Sequence, residues 1–166
     1  MSILPILKWP DERLSQRCDP VPPGEDVAEL VTDMLETMYD APGRGLAAPQ
    51  VGVMKRLFVM DCGWKEGDMT PVICINPEII SASGETASGE EGCLSIPQAP
   101  AEVTRPARIT MRWTGLDGAV QERELTGFEA KCAQHEFDHL DGLVIFDRIS
   151  DDDRARIEGA YLEALE

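Results

Sequence analysis

This 166-residue sequence predicts an α+β fold, and three observations carry the prediction. A helix-spaced apolar pattern stands near the N-terminus. Short strand-like segments fill the middle. Helical patterns return only towards the C-terminus. Strands and helices do not alternate, so a parallel sheet with crossover helices is not expected. Antiparallel or mixed β-sheets should pack around a central helix, with an N-terminal helix and a short C-terminal helix. The length suits one domain spanning 1–166, since domains commonly run to roughly 100–200 residues.

Each element has its own signal. Residues 1–24 read as an arm, because Pro5, Pro10, Pro20, Pro22 and Pro23 break any long helix. About two helical turns fit within Asp11–Cys18. Over 25–39, Val27, Leu30, Val31, Met34, Leu35 and Met38 recur at helical spacing. Glu25 and Asp26 suit the positive end of that helix, and Ala41-Pro42-Gly43 stops it. Strands are expected at Leu57–Asp61, Val72–Ile80, Glu85–Ser88, Ala101–Arg105, Arg108–Gly115 and Val120–Leu125. Leu116-Asp117-Gly118 reads as a hairpin turn. A second helix should run from Gly127 to Asp141, with Thr126 and Glu129 as a capping box and Gly142 just past its end. An acidic helix is expected over 151–164.

Composition narrows the function classes. The chain is 43% hydrophobic and 28% charged, which is ordinary globular usage. Its formal net charge of -16 makes nucleic-acid phosphates poor partners, so no DNA binding is expected. No apolar run reaches the ~18–20 residues of a membrane span. Five cysteines without a CxxC pair, and no signal-peptide pattern, suggest free thiols in a reducing cytoplasm.

The chain has two histidines, His135 and His139, four apart in His135-Glu136-Phe137-Asp138-His139. On a helix they share one face and can share one metal ion, with Glu136 angled towards a water there. A catalytic site of this type needs a third protein ligand and an open position. No third histidine exists, which leaves Cys132, Glu158 and Cys93 to consider. Cys132 leans away from the pair along the same helix. Glu158 lies on the acidic last helix. Cys93 offers a thiolate, a strong ligand for Zn²⁺ or Fe²⁺, but spacing alone does not choose it.

Three segments resemble peptide deformylase motifs, in the family's order. Gly43-Arg44-Gly45-Leu46-Ala47-Ala48-Pro49-Gln50 is similar to GxGLAAxQ, Glu91-Gly92-Cys93-Leu94-Ser95 to EGCLS, and Gln134-His135-Glu136-Phe137-Asp138-His139 to QHExDH. The resemblance implies a hydrolase that removes the formyl group from N-terminal formylmethionine of new polypeptides. It implies that Cys93, His135 and His139 bind one divalent cation, Fe²⁺ first, with Zn²⁺, Ni²⁺ or Co²⁺ able to replace it. It makes Glu136 the general base, and Gln50 and the Leu94 N–H the donors for the formyl oxygen. It also makes Gly45 a substrate-binding residue. Leu46, Ile96, Phe128 and Cys132 become wall residues for the methionine side chain. Asp138 is a carboxylate within reach of a histidine, and Glu91 a structural acid suited to Arg105.

Two departures stand out. Many bacterial members carry Arg a few residues after EGCLS, where this chain has Pro100. The C-terminal helix, basic in members that dock on the ribosome, here carries six acids against Arg154 and Arg156. Weak or absent ribosome docking through that helix is therefore expected. Two rival readings remain: an HExxH metallopeptidase that uses Glu158, and a catalytically silent peptide-binding module.

Overall fold

The structure is a computed structural model that describes residues 2–166. Its elements are α1 (Ala28–Asp40), β1 (Gly45–Ala47), β2 (Leu57–Met60), β3 (Val72–Ala82), β4 (Thr86–Cys93), β5 (Ile96–Pro106), β6 (Arg108–Thr114), β7 (Val120–Thr126), α2 (Gly127–Leu140) and α3 (Asp151–Ala164). Five strands form one antiparallel sheet in the order β1-β2-β3-β6-β7, and β4 pairs with β5 as a separate ribbon. The expected α+β class and both flanking helices are present.

The two periodicities explain the packing. In β2, Leu57 and Val59 face α1, where they meet Val31, Met34 and Met38. Phe58 and Met60 point the opposite way, into the layer under α2 with Met111, Trp113 and Ala133. Both faces of β2 are covered, so its run Leu-Phe-Val-Met is apolar throughout. A third apolar cluster joins the arm (Trp9, Leu14) to β5 and to Tyr161 on α3. Trp9 Nε1 donates to Glu158 at 2.7 Å, and the Tyr161 hydroxyl donates to the Trp9 carbonyl at 2.7 Å.

Some expectations shift. The helical turn within Asp11–Cys18 is a short 3-10 segment, Glu12–Ser15, capped by Asp11. Helix α1 starts at Ala28 because the Asp26 carboxylate, lying outside it, accepts the Ala28 N–H at 3.0 Å. Thr126 does stand at the N-cap of α2, but the capping box is not made. Gly127 turns there with φ +56°, and Glu129 reaches Arg123 at 3.3 Å instead. Strands β4 and β5 are longer than expected, and β1 has no counterpart among the expected strands. The turn at 115–119 is as read: Gly118 takes φ +86° and Asp117 accepts the Ala119 N–H. Among the described residues no helix is long and apolar enough to cross a membrane.

Candidate metal centre

Helix α2 runs between the sheet and the ribbon and buries most of its length. His135, Glu136 and His139 are on its inward face, each at most 9% exposed. The two imidazoles meet edge to face, with centroids 5.1 Å apart. Cys93, the last residue of β4, lies opposite, with Sγ 3.5 Å from His139 Nε2. One donor atom from each of Cys93, His135 and His139 falls within 4.8 Å of the others. Tetrahedral zinc with ordinary Zn–S and Zn–N distances needs sulfur and nitrogen about 3.5 Å apart. Cys93 and His139 already have that separation, and with His135 within 4.8 Å the three side chains fit one divalent cation.

Buried charges orient the ligands. Glu91 Oε1 accepts from His135 Nδ1 at 3.0 Å, which turns Nε2 towards the sulfur. Arg105 donates to Glu91 at 2.7 and 2.9 Å and to Asp138 at 2.9 Å. Arg148 closes the network on Asp138 from outside. Burial opposes ionisation of Glu91, but the hydrogen bonds from Arg105 and His135 outweigh it and hold its pKa at about 2. Burial opposes charge on His135 as well, but Glu136 and Cys93 raise its pKa. His139 is held neutral by burial and by the neighbouring His135, which leaves it a lone pair for a metal. Asp138 thus serves the two arginines, not a histidine, and the carboxylate that partners His135 is Glu91.

Glu136 is pushed up to about 7, first by burial and then by the Glu91 and Asp138 charges. Its Oε1 is buried with no hydrogen-bond partner, and so is His139 Nδ1. A carboxylate tuned near neutrality and left unpartnered beside three metal-ligand side chains has the properties of a general base.

A cleft of about 420 Å³ opens over this centre, lined by Gly45, Gln50, Cys93, Leu94, His135 and Glu136 among others. Gln50 is 1% exposed and clamped at both ends. Its Oε1 accepts the Ala47 N–H at 2.9 Å, and its Nε2 donates to Ser95 Oγ at 3.0 Å and faces Cys93 Sγ at 3.7 Å. Ile96, Phe128 and Cys132 line the cleft as expected, whereas Leu46 belongs to the core under α1. Cys132 Sγ faces the Arg44 carbonyl, not the histidines. Glu158 is held by Trp9 and Arg154, away from this centre.

The polypeptide deformylase family profile matches residues 3–155. The chain belongs to the peptide deformylase family. A peptide deformylase from Afipia carboxidovorans is 47% identical over 165 residues, covering 99% of this chain and 96% of that relative. A crystal structure of a peptide deformylase from Legionella pneumophila is 39% identical with a TM-score of 0.89, covering 97% of this chain and 94% of the other. One from Ehrlichia chaffeensis reaches a TM-score of 0.90 at 35% identity, covering 98% and 96%. Deformylase activity is the removal of the N-formyl group from nascent peptides, and the chain is an enzyme of that class. The rival readings, a Glu158 metallopeptidase and a silent module, are not favoured.

Gly45 of this deformylase fold approaches the base closely. A Cβ there would sit 2.5 Å from Glu136 Oε2 and 2.9 Å from its Cδ. Gly45→Ala should therefore push the carboxylate aside, with kcat falling by about 10²-fold for an ångström-scale misplacement. The melting temperature should stay within a few degrees. Steady-state kinetics beside a thermal melt checks both.

Arg105 and Ser95 are supporting residues to which the sequence alone gives no full role. The sequence pairs Arg105 with Glu91 and the structure adds Asp138, while the only sequence signal for Ser95 is its place in the EGCLS segment.

Proposed function

We propose that the whole chain, 1–166, is one catalytic domain that hydrolyses the formamide bond of N-terminal formylmethionine in the cytoplasm. The observation that carries the reading is the Cys93, His135 and His139 donor set beside the unpartnered Glu136 carboxylate. Those three side chains would hold one divalent cation, Fe²⁺ first and Zn²⁺, Ni²⁺ or Co²⁺ as alternatives, which supplies Lewis acidity to water and to the formyl oxygen. Glu136 takes the proton of the attacking water and passes it to the leaving amine. Gln50 Nε2 and the Leu94 N–H take up the charge that grows on the formyl oxygen. Ser95 Oγ and the Ala47 N–H keep the Gln50 amide from rotating. The methionine side chain enters the apolar end of the cleft beside Ile96, Phe128 and Cys132. The substrate backbone lies along Gly45, extended between two strand edges, β1 and β4.

The test is formate release from formyl-Met-Ala-Ser by anaerobically purified protein, with metal analysis of the same sample. Cys93→Ala should lose bound metal and activity together, whereas Glu158→Ala should keep both. The opposite pattern would return the site to the metallopeptidase reading. With Fe²⁺ bound, activity decays faster in air than under nitrogen, because a thiolate-ligated site is open to oxidation. Equal lifetimes point to zinc or nickel. The acidic α3 should not bind ribosomal RNA, so deleting 150–166 leaves co-sedimentation with ribosomes at low salt unchanged.

A further inference from the structure

The segment that follows β2, Asp61–Thr70, folds back over the outer side of Gly43–Gly45. Trp64 Nε1 donates to the Gly43 carbonyl at 2.9 Å. The Asp61 N–H donates to the Arg44 carbonyl at 2.8 Å. The Arg44 guanidinium donates to the Cys62 carbonyl at 2.7 Å and grips both Glu66 oxygens at 2.7 and 3.0 Å. The loop is itself anchored. The Trp64 ring packs edge-on to Tyr39 at 5.1 Å, and the Tyr39 hydroxyl donates to the buried Asp61 at 2.6 Å. Asp61 also accepts the Thr70 N–H at 2.9 Å.

The segment so held is the cleft wall. Gly43, Arg44 and Gly45 all line it, and β1 pairs with β2 on one side only. Two glycines in three residues make that stretch intrinsically loose, and neither can be stiffened by a side chain. A Cβ on Gly43 would meet Leu94 Cδ1 at 2.7 Å, and one on Gly45 would meet Glu136. The rigidity has to come from outside: the Gly43 N–H is held by the Met38 carbonyl, and from Asp61–Thr70 come Trp64 on the Gly43 carbonyl, the Asp61 N–H on the Arg44 carbonyl, and Cys62 and Glu66 on the Arg44 guanidinium.

We propose that Asp61–Thr70 is a splint that fixes the free edge of Gly43–Gly45 for pairing with the substrate backbone, with Trp64 as its main positioning residue. This rests on the reading of the cleft as one that takes an extended formyl peptide. Trp64 is not among the residues that line the cleft and reaches it only through the Gly43 carbonyl, so it acts on how the peptide is held, not on the bond that breaks.

The test compares wild type with Trp64→Phe, which keeps a ring for Tyr39 and removes only the donor. Two substrates are used, formyl-Met-Ala-Ser and formyl-methionine amide, which has almost no downstream backbone. Amide hydrogen exchange of 43–47 is measured on the same proteins. Trp64→Phe should raise KM for the tripeptide by about three- to tenfold, the worth of one hydrogen bond, with kcat within about twofold. The amide substrate should be nearly unaffected, and exchange at 43–47 should speed up. Glu66→Gln, at an exposed position that does not threaten folding, should move the same readouts in the same direction by less. Equal losses on both substrates, or unchanged exchange in Trp64→Phe, overturn the proposal. If wild type released no formate from either substrate, the deformylase reading would fall, and the exchange measurement would still decide the splint.

Discussion

Glu136→Gln should lower deformylation by about 10²–10⁴-fold, the usual worth of a positioned proton-transfer group. It should also make the metal-free protein more stable at neutral pH. Burial raises the Glu136 pKa from 4.5 to about 7, so the fold favours the neutral acid. Below the unfolded value of 4.5 the carboxyl is protonated in both states and costs the fold nothing. As pH rises from there through 7, the unfolded state gains by ionising and the fold loses stability. The full loss is about 3 kcal/mol, at about 1.36 kcal/mol for each pH unit between the folded and unfolded values. Glutamine, always neutral, abolishes that slope. The melting temperature of the variant minus that of wild type should therefore grow between about pH 4.5 and 7 and level off above. Melts of chelator-treated protein across that range check it, and a flat difference would show that Glu136 is not a strained base.

Arg105→Met should be the most destabilising single change outside the apolar core, by about 3–5 kcal/mol. The Arg105 and Glu91 side chains are only 6% and 3% exposed, so deleting the cation strands a buried carboxylate. Asp138 suffers less, because Arg148 still reaches it. Glu91 would then lean on His135 alone. Metal affinity should fall by about 10–100-fold, as it does when a supporting carboxylate is disturbed. Acid sensitivity changes too. With its pKa held at about 2, Glu91 contributes stability above 4.5 that fades as pH falls towards 2. Without Arg105, burial pushes the Glu91 carboxyl up, that contribution is lost, and the variant should be less sensitive than wild type to acid over this range. Denaturant melts of Arg105→Met and of Arg105→Met with Glu91→Gln separate the effects. The double variant should recover much of the loss, because no orphan charge remains.

Much of this architecture is legible in the residues themselves. The apolar spacing in α1 and the fully apolar Leu57–Met60 follow directly from helix and strand periodicities. The His135–His139 pair identifies its helix face. Other parts are not legible, for physical reasons. Strand β1 has three residues and starts on the second glycine of Gly43-Arg44-Gly45, so it carries no alternation to read. The ribbon strands β4 and β5 are mostly exposed along β4, and their length is set by pairing, not by apolar pattern. Gly127 overrides the local cap at Thr126. Whether Asp138 or Glu91 reaches His135 depends on how far β4 runs alongside α2, a distance no spacing in the chain encodes. The Trp64 contact with Gly43 spans 21 residues and depends on how β2 returns beside β1, so it is hidden for the same reason.

The joint between Trp9 and the Glu158–Tyr161 stretch has a consequence for biosynthesis. The Leu7 and Trp9 N–H groups donate to the Gln50 and Ser95 carbonyls, so the arm braces both halves of the catalytic cleft. Part of its own anchorage comes from Glu158 and Tyr161 of α3, 149 and 152 residues further along the chain. A growing chain that has not yet made α3 lacks these two contacts, so the cleft should be fully braced only once Tyr161 has folded onto Trp9.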